Sequence, residues 1–342
     1  MAGKSPWWRG DVFAKRAGNL ARRDSMMRAV RGFFYEKDFA EPETPALQVS
    51  PGMEPHIMAF ATDIAEPGEA PRRLYLHTSP EFAMKKLLVA GLPRIFQICR
   101  TFRNGERSST HHPEFTMLEW YRAGAAYTDL MQDCEGLLRA AAKGAGIAMF
   151  RFRGRTSDPF RPFTRLSVAE AFMQHCGIDI LKDAGNADAL GREARRVGIA
   201  PHEGDGWEDI YFRIFQELIE PKLGDGAPCI LYDYPISMAA LSRRKASDPR
   251  VAERFEIYVC GLELANAFGE LTDAREQRRR FEADMALKES LYGFRYPIDE
   301  DFMAALEAGM PESAGIALGI DRLAMLCCGE DDILDVIWAP VA

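Results

Sequence analysis

The stretch that most constrains this chain runs from Ile95 to Arg122 and reads IFQICRTFRNGERSSTHHPEFTMLEWYR. Ile95 to Phe102 is rich in aliphatic, aromatic and β-branched residues, and from Glu114 to Arg122 alternation puts Phe115, Met117, Glu119 and Tyr121 on one face. Two strands are predicted. Between them Arg103 to Pro113 forms a polar loop of about ten residues, too long for a tight hairpin turn. It carries Arg103, Arg107, His111 and His112, and the returning strand presents Phe115. A guanidinium fork matches a phosphate, and an exposed ring beside it can stack on a base. The stretch outlines a nucleotide site; the alternative is an edge hairpin with a solvated loop.

Phe102-Arg103, a variable loop, then His111, Phe115 and Glu119 at four-residue steps resemble motif 2 of the class II aminoacyl-tRNA synthetases. The wider text HHPEFTMLEWYR is most similar to the lysyl branch and, within it, to the elongation factor P lysyltransferases, paralogues that work on a protein. The resemblance extends from about Phe39 to about Gly329. It implies an α+β fold, the class II aminoacyl-tRNA synthetase catalytic fold, with an antiparallel sheet flanked by helices. A single catalytic domain over 1–342 is expected, with a loosely docked tail over about 1–18 and a helical insertion over about 154–226.

Composition sets outer bounds. A chain of 342 residues can bury a substantial core, and 47% hydrophobic with 27% charged residues are ordinary globular values. No apolar run approaches a membrane span and no charged leader precedes one, so a cytoplasmic protein is expected. Seven cysteines without CxxC spacing suggest reduced thiols, not a disulfide framework or structural zinc. The net charge of −8 offers no general attraction to nucleic acid. Lys85-Lys86 and Arg278-Arg279-Arg280 are the basic clusters, read as solvated helix faces.

Along the chain, apolar residues at helical steps predict a helix over Asn19 to Lys37, leading into a strand that ends at Pro45. That arrangement resembles motif 1, which in the family forms a homodimer interface. Leu74 to His77 reads as a strand, and Thr78-Ser79-Pro80 as the start of a helix through Val89. Thr128 to Ala142 is an amphipathic helix, Phe150 to Arg165 a loop, and 166–223 several helices, including Ser167 to Cys176 and Trp207 to Ile219. Cys229 to Tyr234 and Arg254 to Cys260 read as strands, and a helix capped near Thr272-Asp273 runs to about Leu291. From Ala314 to Cys328 the text resembles motif 3, a strand passing into a helix with Arg322 at its start.

Activating a carboxylic acid with ATP needs no side-chain nucleophile, because the substrate carboxylate attacks the α-phosphorus. The protein supplies position and positive charge. The resemblance assigns Arg103 to the α-phosphate and the carboxylate, and Arg322 to the far phosphates. It places Asn104, Gly105, Glu106, His111, His112, Phe115, Glu263, Leu264 and Gly319 around ATP. Magnesium prefers oxygen ligands, and Glu256 and Glu263 match the acidic pair that holds Mg2+ in the lysyl family. Ser79, Pro80, Asn266 and Ala317 fall in the substrate-binding segments.

Glu81, in the first turn of a helix, is favoured there by the helix dipole alone. The resemblance makes it the acceptor for the substrate's amino group. Glu119 and Glu270 match positions that recognise a distal ammonium, with Tyr121 as a further hydrogen-bond partner. Two carboxylates in one socket repel unless a cation lies between them, which suits an amine-bearing side chain.

Three departures qualify the match. Gly105 stands where an acid is common, moving the expected adenine contact to Glu106 or to backbone. His112 stands where asparagine is common. Lysyl-type motif 3 usually shows three glycines, and the middle one is Ala317; an extra methyl in a close pocket is worth about 1–3 kcal/mol of substrate preference. The expected substrate is therefore (R)-β-lysine in preference to α-lysine.

Only 44 residues precede Pro45, too few for the oligonucleotide-binding barrel of the lysyl enzymes. The expected acceptor is a lysine of elongation factor P, with tRNA disfavoured. The competing readings are a minimal tRNA-lysylating enzyme and an amino-acid-sensing binding module; a sensor has no need of Arg103, Arg322, Glu256 and Glu263.

Overall fold

In the computed structural model, which describes residues 6–341, the chain opens with α1 (Gly10–Phe13) and α2 (Ala17–Tyr35). A small sheet follows, of β1 (Leu47–Gln48), β2 (Ala61–Ile64) and β3 (Arg72–Leu76), then α3 (Glu81–Val89), β4 (Arg94–Phe102), β5 (Glu114–Ala123) and α4 (Tyr127–Gly144). The hairpin β6 (Phe150–Phe152) and β7 (Arg155–Ser157) leads to β8 (Thr164–Ser167), α5 (Val168–Cys176), α6 (Ala187–Arg196) and α7 (Trp207–Ile214). The last third comprises β9 (Cys229–Pro235), β10 (Val251–Val259), β11 (Leu262–Gly269), α8 (Ala274–Tyr292), α9 (Glu300–Gly309), β12 (Ser313–Gly319) and α10 (Ile320–Cys328).

The main sheet has seven strands in the order β4-β5-β12-β11-β10-β9-β8. Every pairing is antiparallel except β8 with β9. Period-two alternation divides its faces. Leu118, Trp120, Ile316, Leu318, Ala267 and Phe255 point to one side, buried with residues of α2, α4 and α10 in the largest apolar cluster. Burying each large side chain there contributes about 1.5–3 kcal/mol. The other face is polar, and its register sets side chains in rows. Gln97, Glu119, Ala317, Asn266 and Glu256 are successive partners across five strands; Ile95, Tyr121, Gly315, Phe268 and Arg254 form the next row on that face.

Two smaller cores flank the sheet. Helices α5 to α7 pack with Cys229 and Leu231 of β9, and Phe82, Phe281 and Phe302 join α3, α8 and α9, the rings of Phe82 and Phe302 stacking at 4.6 Å.

The predicted strands around the polar loop are β4 and β5, and α2, α3 and α4 lie where expected. Asp273 caps α8, accepting from the backbone of Arg275 and Glu276. Four expectations need correction. The strand ending at Pro45 reduces to one bridge, Ala40 to Ile95, because two prolines leave few donors for a ladder. The loop over Phe150 to Arg165 holds the β6–β7 hairpin and the start of β8.

The tail is docked by Arg16, whose guanidinium donates to the carbonyls of Leu334 and Ile337; residues 1–5 lie outside the described residues. Finally, one of the two basic clusters is not a solvated face: Lys85 is buried and Lys86 pairs with Asp299 and Asp301, whereas Arg278, Arg279 and Arg280 lie on the outer side of α8 in ion pairs with Glu300 and Glu276.

One ion pair ties the fold to the site. Arg23 of α2 meets Asp321 at 2.5 Å with both side chains buried, and Asp321 accepts from the Thr116 backbone at 2.6 Å. This clamp fixes the start of α10, where Arg322 projects. Replacing Arg23 with methionine leaves Asp321 buried and unpaired, and is expected to lower stability by about 3–5 kcal/mol. A urea midpoint equal to wild type would contradict that.

Candidate active site

A cavity of about 610 Å³ opens on the polar face of the sheet, and both motif arginines reach it. Arg103 begins the β4–β5 loop, its guanidinium 5.3 Å from the centre of the Phe115 ring, and its buried Nε has no hydrogen-bond partner among the described residues. Arg322 donates Nη1 to the Glu263 carbonyl at 2.8 Å, and its Nη2 lies 2.7 Å from His111 Nε2. Burial, then the charge of Arg322, holds His111 below its ordinary pKa, so the neutral ring accepts from the guanidinium. Arg103 and Arg322 thus sit on one loop and one helix start, both facing the same space.

The other expected nucleotide residues divide. Glu106, Phe115, Glu263, Leu264 and Gly319 line the cavity. Asn104 and Gly105 are exposed and do not line it; Gly105, at φ +82°, serves the turn of the loop. His112 lines the cavity but both ring nitrogens are engaged, Nδ1 with the Glu114 carbonyl at 2.6 Å and Nε2 with the Val341 backbone N–H at 3.2 Å. Among the acidic candidates for adenine, Glu106 is the one the cavity meets.

At the far end lies an acidic socket. Glu119 of β5 accepts from Ser79 at 2.5 Å and from Tyr121 at 2.7 Å. Ser79 Oγ also accepts the Glu81 backbone N–H at 3.0 Å, so the start of α3 is fixed to the sheet. Pro80 does not line the cavity; it occupies the N-cap of α3. Asn266 and Glu119 flank Ala317 across the strands, with Glu270 just past the end of β11. Burial first, then the charge of Glu81, pushes the Glu119 carboxyl up to about 8, and burial raises Glu270 as well. Burial thus favours the neutral form of both carboxyls, and a cation placed beside them favours the charged form.

Residues 12–342 match the family model described as tRNA synthetases class II (D, K and N). The chain belongs to this family. Proteins named "Elongation factor P--(R)-beta-lysine ligase" are among its relatives: that of Vibrio cholerae serotype O1 is 42% identical over 94% of this chain and 94% of its own length. That of Histophilus somni strain 2336 is 39% identical over 93% of this chain and 94% of its own, and that of Haemophilus ducreyi 39% over 93% and 92%. Membership of the class II synthetase family implies use of ATP by a ligase.

The family also implies a divalent cation, and the two candidate ligands differ in fit. Glu263 lines the cavity, its side chain 41% exposed and 3.8 Å from Arg322, so it can reach a cation on the phosphates. Glu256 does not line the cavity. It accepts from Tyr234 and Tyr258 at 2.6 Å each and pairs with Arg254 at 2.6 Å, so its charge is already satisfied within the protein.

Sequence reasoning missed two residues. Gly315 faces Tyr121 across the strands, and a Cβ there would come within 2.2 Å of the Tyr121 ring and 2.3 Å of Glu270 Oε1. Its place in the same glycine-rich strand as Ala317 was the available signal. Lys85 lies behind the socket, and its i,i+4 spacing from Glu81 is indistinguishable in sequence from a surface pair.

Proposed function

We propose that the protein activates lysine, with (R)-β-lysine preferred over α-lysine, as an aminoacyl-adenylate, and transfers it to a lysine side chain of elongation factor P and not to tRNA. One observation carries this reading: two guanidinium groups and an acid-lined socket share one cavity. The names of the relatives, at about 40% identity over nearly the whole chain, point the same way.

In the first step the substrate carboxylate attacks the α-phosphorus and pyrophosphate leaves. Arg103 spans the carboxylate and the α-phosphate, where charge develops, and Arg322 meets the leaving phosphates. Phe115, Glu106 and Leu264 bound the base. Glu263 would hold Mg2+ together with the nucleotide's oxygens, and that ion would neutralise phosphate charge. Glu81 and Asn266 take the substrate's backbone amine, and Glu119, Glu270 and Tyr121 its distal ammonium. In the second step the acceptor lysine's neutral amine attacks the carbonyl and AMP leaves, forming an amide.

Ala317 supports the choice of substrate. Its methyl group lies between Glu119 and Asn266 on the cavity floor, where the family usually has glycine, and would displace the backbone of a bound amino acid. We therefore expect adenylate formation from (R)-β-lysine to exceed that from α-lysine, the methyl being worth about 1–3 kcal/mol. Pyrophosphate exchange with each substrate measures it; equal or reversed preference contradicts the proposal. A cytoplasmic homodimer is part of the same reading, supported by the exposed apolar side chains of Tyr35, Leu47 and Val49 around the motif 1 segment.

A further inference from the structure

Lys85 is one of the largest fully buried side chains, with 1% of its surface exposed, and the chemistry above does not use it. Buried lysines are rare unless paired. This one is paired twice. Its Nζ lies 2.5 Å from Glu270 Oε2 and also donates to Glu81, one turn earlier on α3. Glu81 is a ligand for one end of the proposed substrate and Glu270 for the other, so the single ammonium of Lys85 links both amine sites from behind.

The charges around it can be counted. Glu81, Glu119 and Glu270 are the carboxylates of the socket, and Lys85 is the cation in contact with two of them. Glu54, on the same wall, is partly exposed, and Arg243, near Glu270, is already paired with Glu253 at 2.7 Å. Three negative charges less one built-in positive charge leave two. A lysine or β-lysine brings two ammonium groups, and its carboxylate is directed to Arg103.

Resting on the proposed function, we propose that Lys85 is a specificity-determining positioning residue: tied to Glu81 and Glu270, it sets the socket's remaining demand at two ammonium groups and so selects a diamino acid. It does not touch the substrate. It acts by fixing the direction of Glu81 and Glu270 and by removing one of three charges, so that a ligand with a single amine leaves a carboxylate unpaired.

The test is a double-mutant cycle of Lys85→Met and Glu270→Gln, read by ATP–pyrophosphate exchange with lysine and with norleucine, which lacks the distal amine. Lys85→Met is expected to raise KM for lysine by about tenfold or more, with kcat changed by less than about threefold. Glu270→Gln alone leaves one net negative charge and should lose much of the preference for lysine over norleucine. Adding Lys85→Met to it restores a net of two, and the preference should recover by about threefold or more.

In the Glu270→Gln background, removing Lys85 should therefore improve the preference for lysine over norleucine. A residue that only fills space predicts the opposite: losses that add, and no recovered preference in the double variant. That result overturns the proposal. If Lys85→Met alone does not fold, the comparison of the double variant with Glu270→Gln still decides, because Lys85→Met leaves both Glu81 and Glu270 without their cation whereas the double variant leaves only Glu81 so. If wild type exchanges with no diamino acid, the proposed function falls and this inference with it; if wild type exchanges and the cycle is additive, only the role of Lys85 falls.

Discussion

Replacing Arg103 with alanine is expected to lower lysine-dependent ATP–pyrophosphate exchange by about 10²–10³-fold, with little change in thermal stability. Among the described residues the guanidinium has no ion pair with an acidic side chain, and its buried Nε has no hydrogen-bond partner, so little of the fold depends on it. A guanidinium held over an aromatic ring, with its hydrogen-bonding Nε still unused, is pre-organised for a ligand. The loss should appear mainly in kcat, because charge at the α-phosphate is greatest in the transition state. Arg103→Lys should recover only part of the rate, since an ammonium cannot span carboxylate and phosphate with a planar fork. Exchange within about threefold of wild type for Arg103→Ala would remove Arg103 from the chemistry.

Glu119→Gln is expected to cost about 2–5 kcal/mol in kcat/KM for lysine, the range for truncating one partner of a buried charge pair. It should also change the pH dependence. In the free protein burial and the charge of Glu81 hold the Glu119 carboxyl up at about 8. A substrate ammonium favours the carboxylate, so binding expels a proton and lysine affinity should rise from pH 6 to pH 8; Glu119→Gln should flatten that rise.

Stability carries the opposite sign. A carboxyl whose folded pKa lies above its unfolded value contributes stability that is fully present below about 4 and lost as pH rises through about 8. The free wild-type protein should therefore lose stability across this window, and Glu119→Gln should lose less. Parallel stability curves for the two proteins would contradict the assignment.

What the sequence disclosed follows its periodicities. β5 was legible because Phe115, Met117, Glu119 and Tyr121 alternate with Leu118 and Trp120, and those two residues are fully buried against α2 and α4. The loop between β4 and β5 was legible because its length and polarity are incompatible with a tight turn. β11 was not, because its polar residues Glu263 and Asn266 stand three apart and break the period of two, with a register shift against β10 between Ile257 and Tyr258. α9 carried signals that went unused: Asp299 caps it, accepting from the Phe302 backbone at 3.0 Å, and Gly309 ends it.

The site's electrostatics were less legible than its residues. That Glu256 is engaged by Tyr234 depends on the pairing of β9 with β10, which no local pattern encodes. That Lys85 is buried and Lys86 is not depends on which face of α3 meets the socket. Both outcomes are set by tertiary placement, where two neighbours in sequence take opposite roles.

The most direct test incubates the protein with ATP and labelled (R)-β-lysine in the presence of either elongation factor P or bulk tRNA. The expected result is amide-linked label on one lysine of elongation factor P, stable to mild alkali, with none on tRNA. Label esterified to tRNA and absent from the protein, or adenylate that passes to neither, would contradict the account.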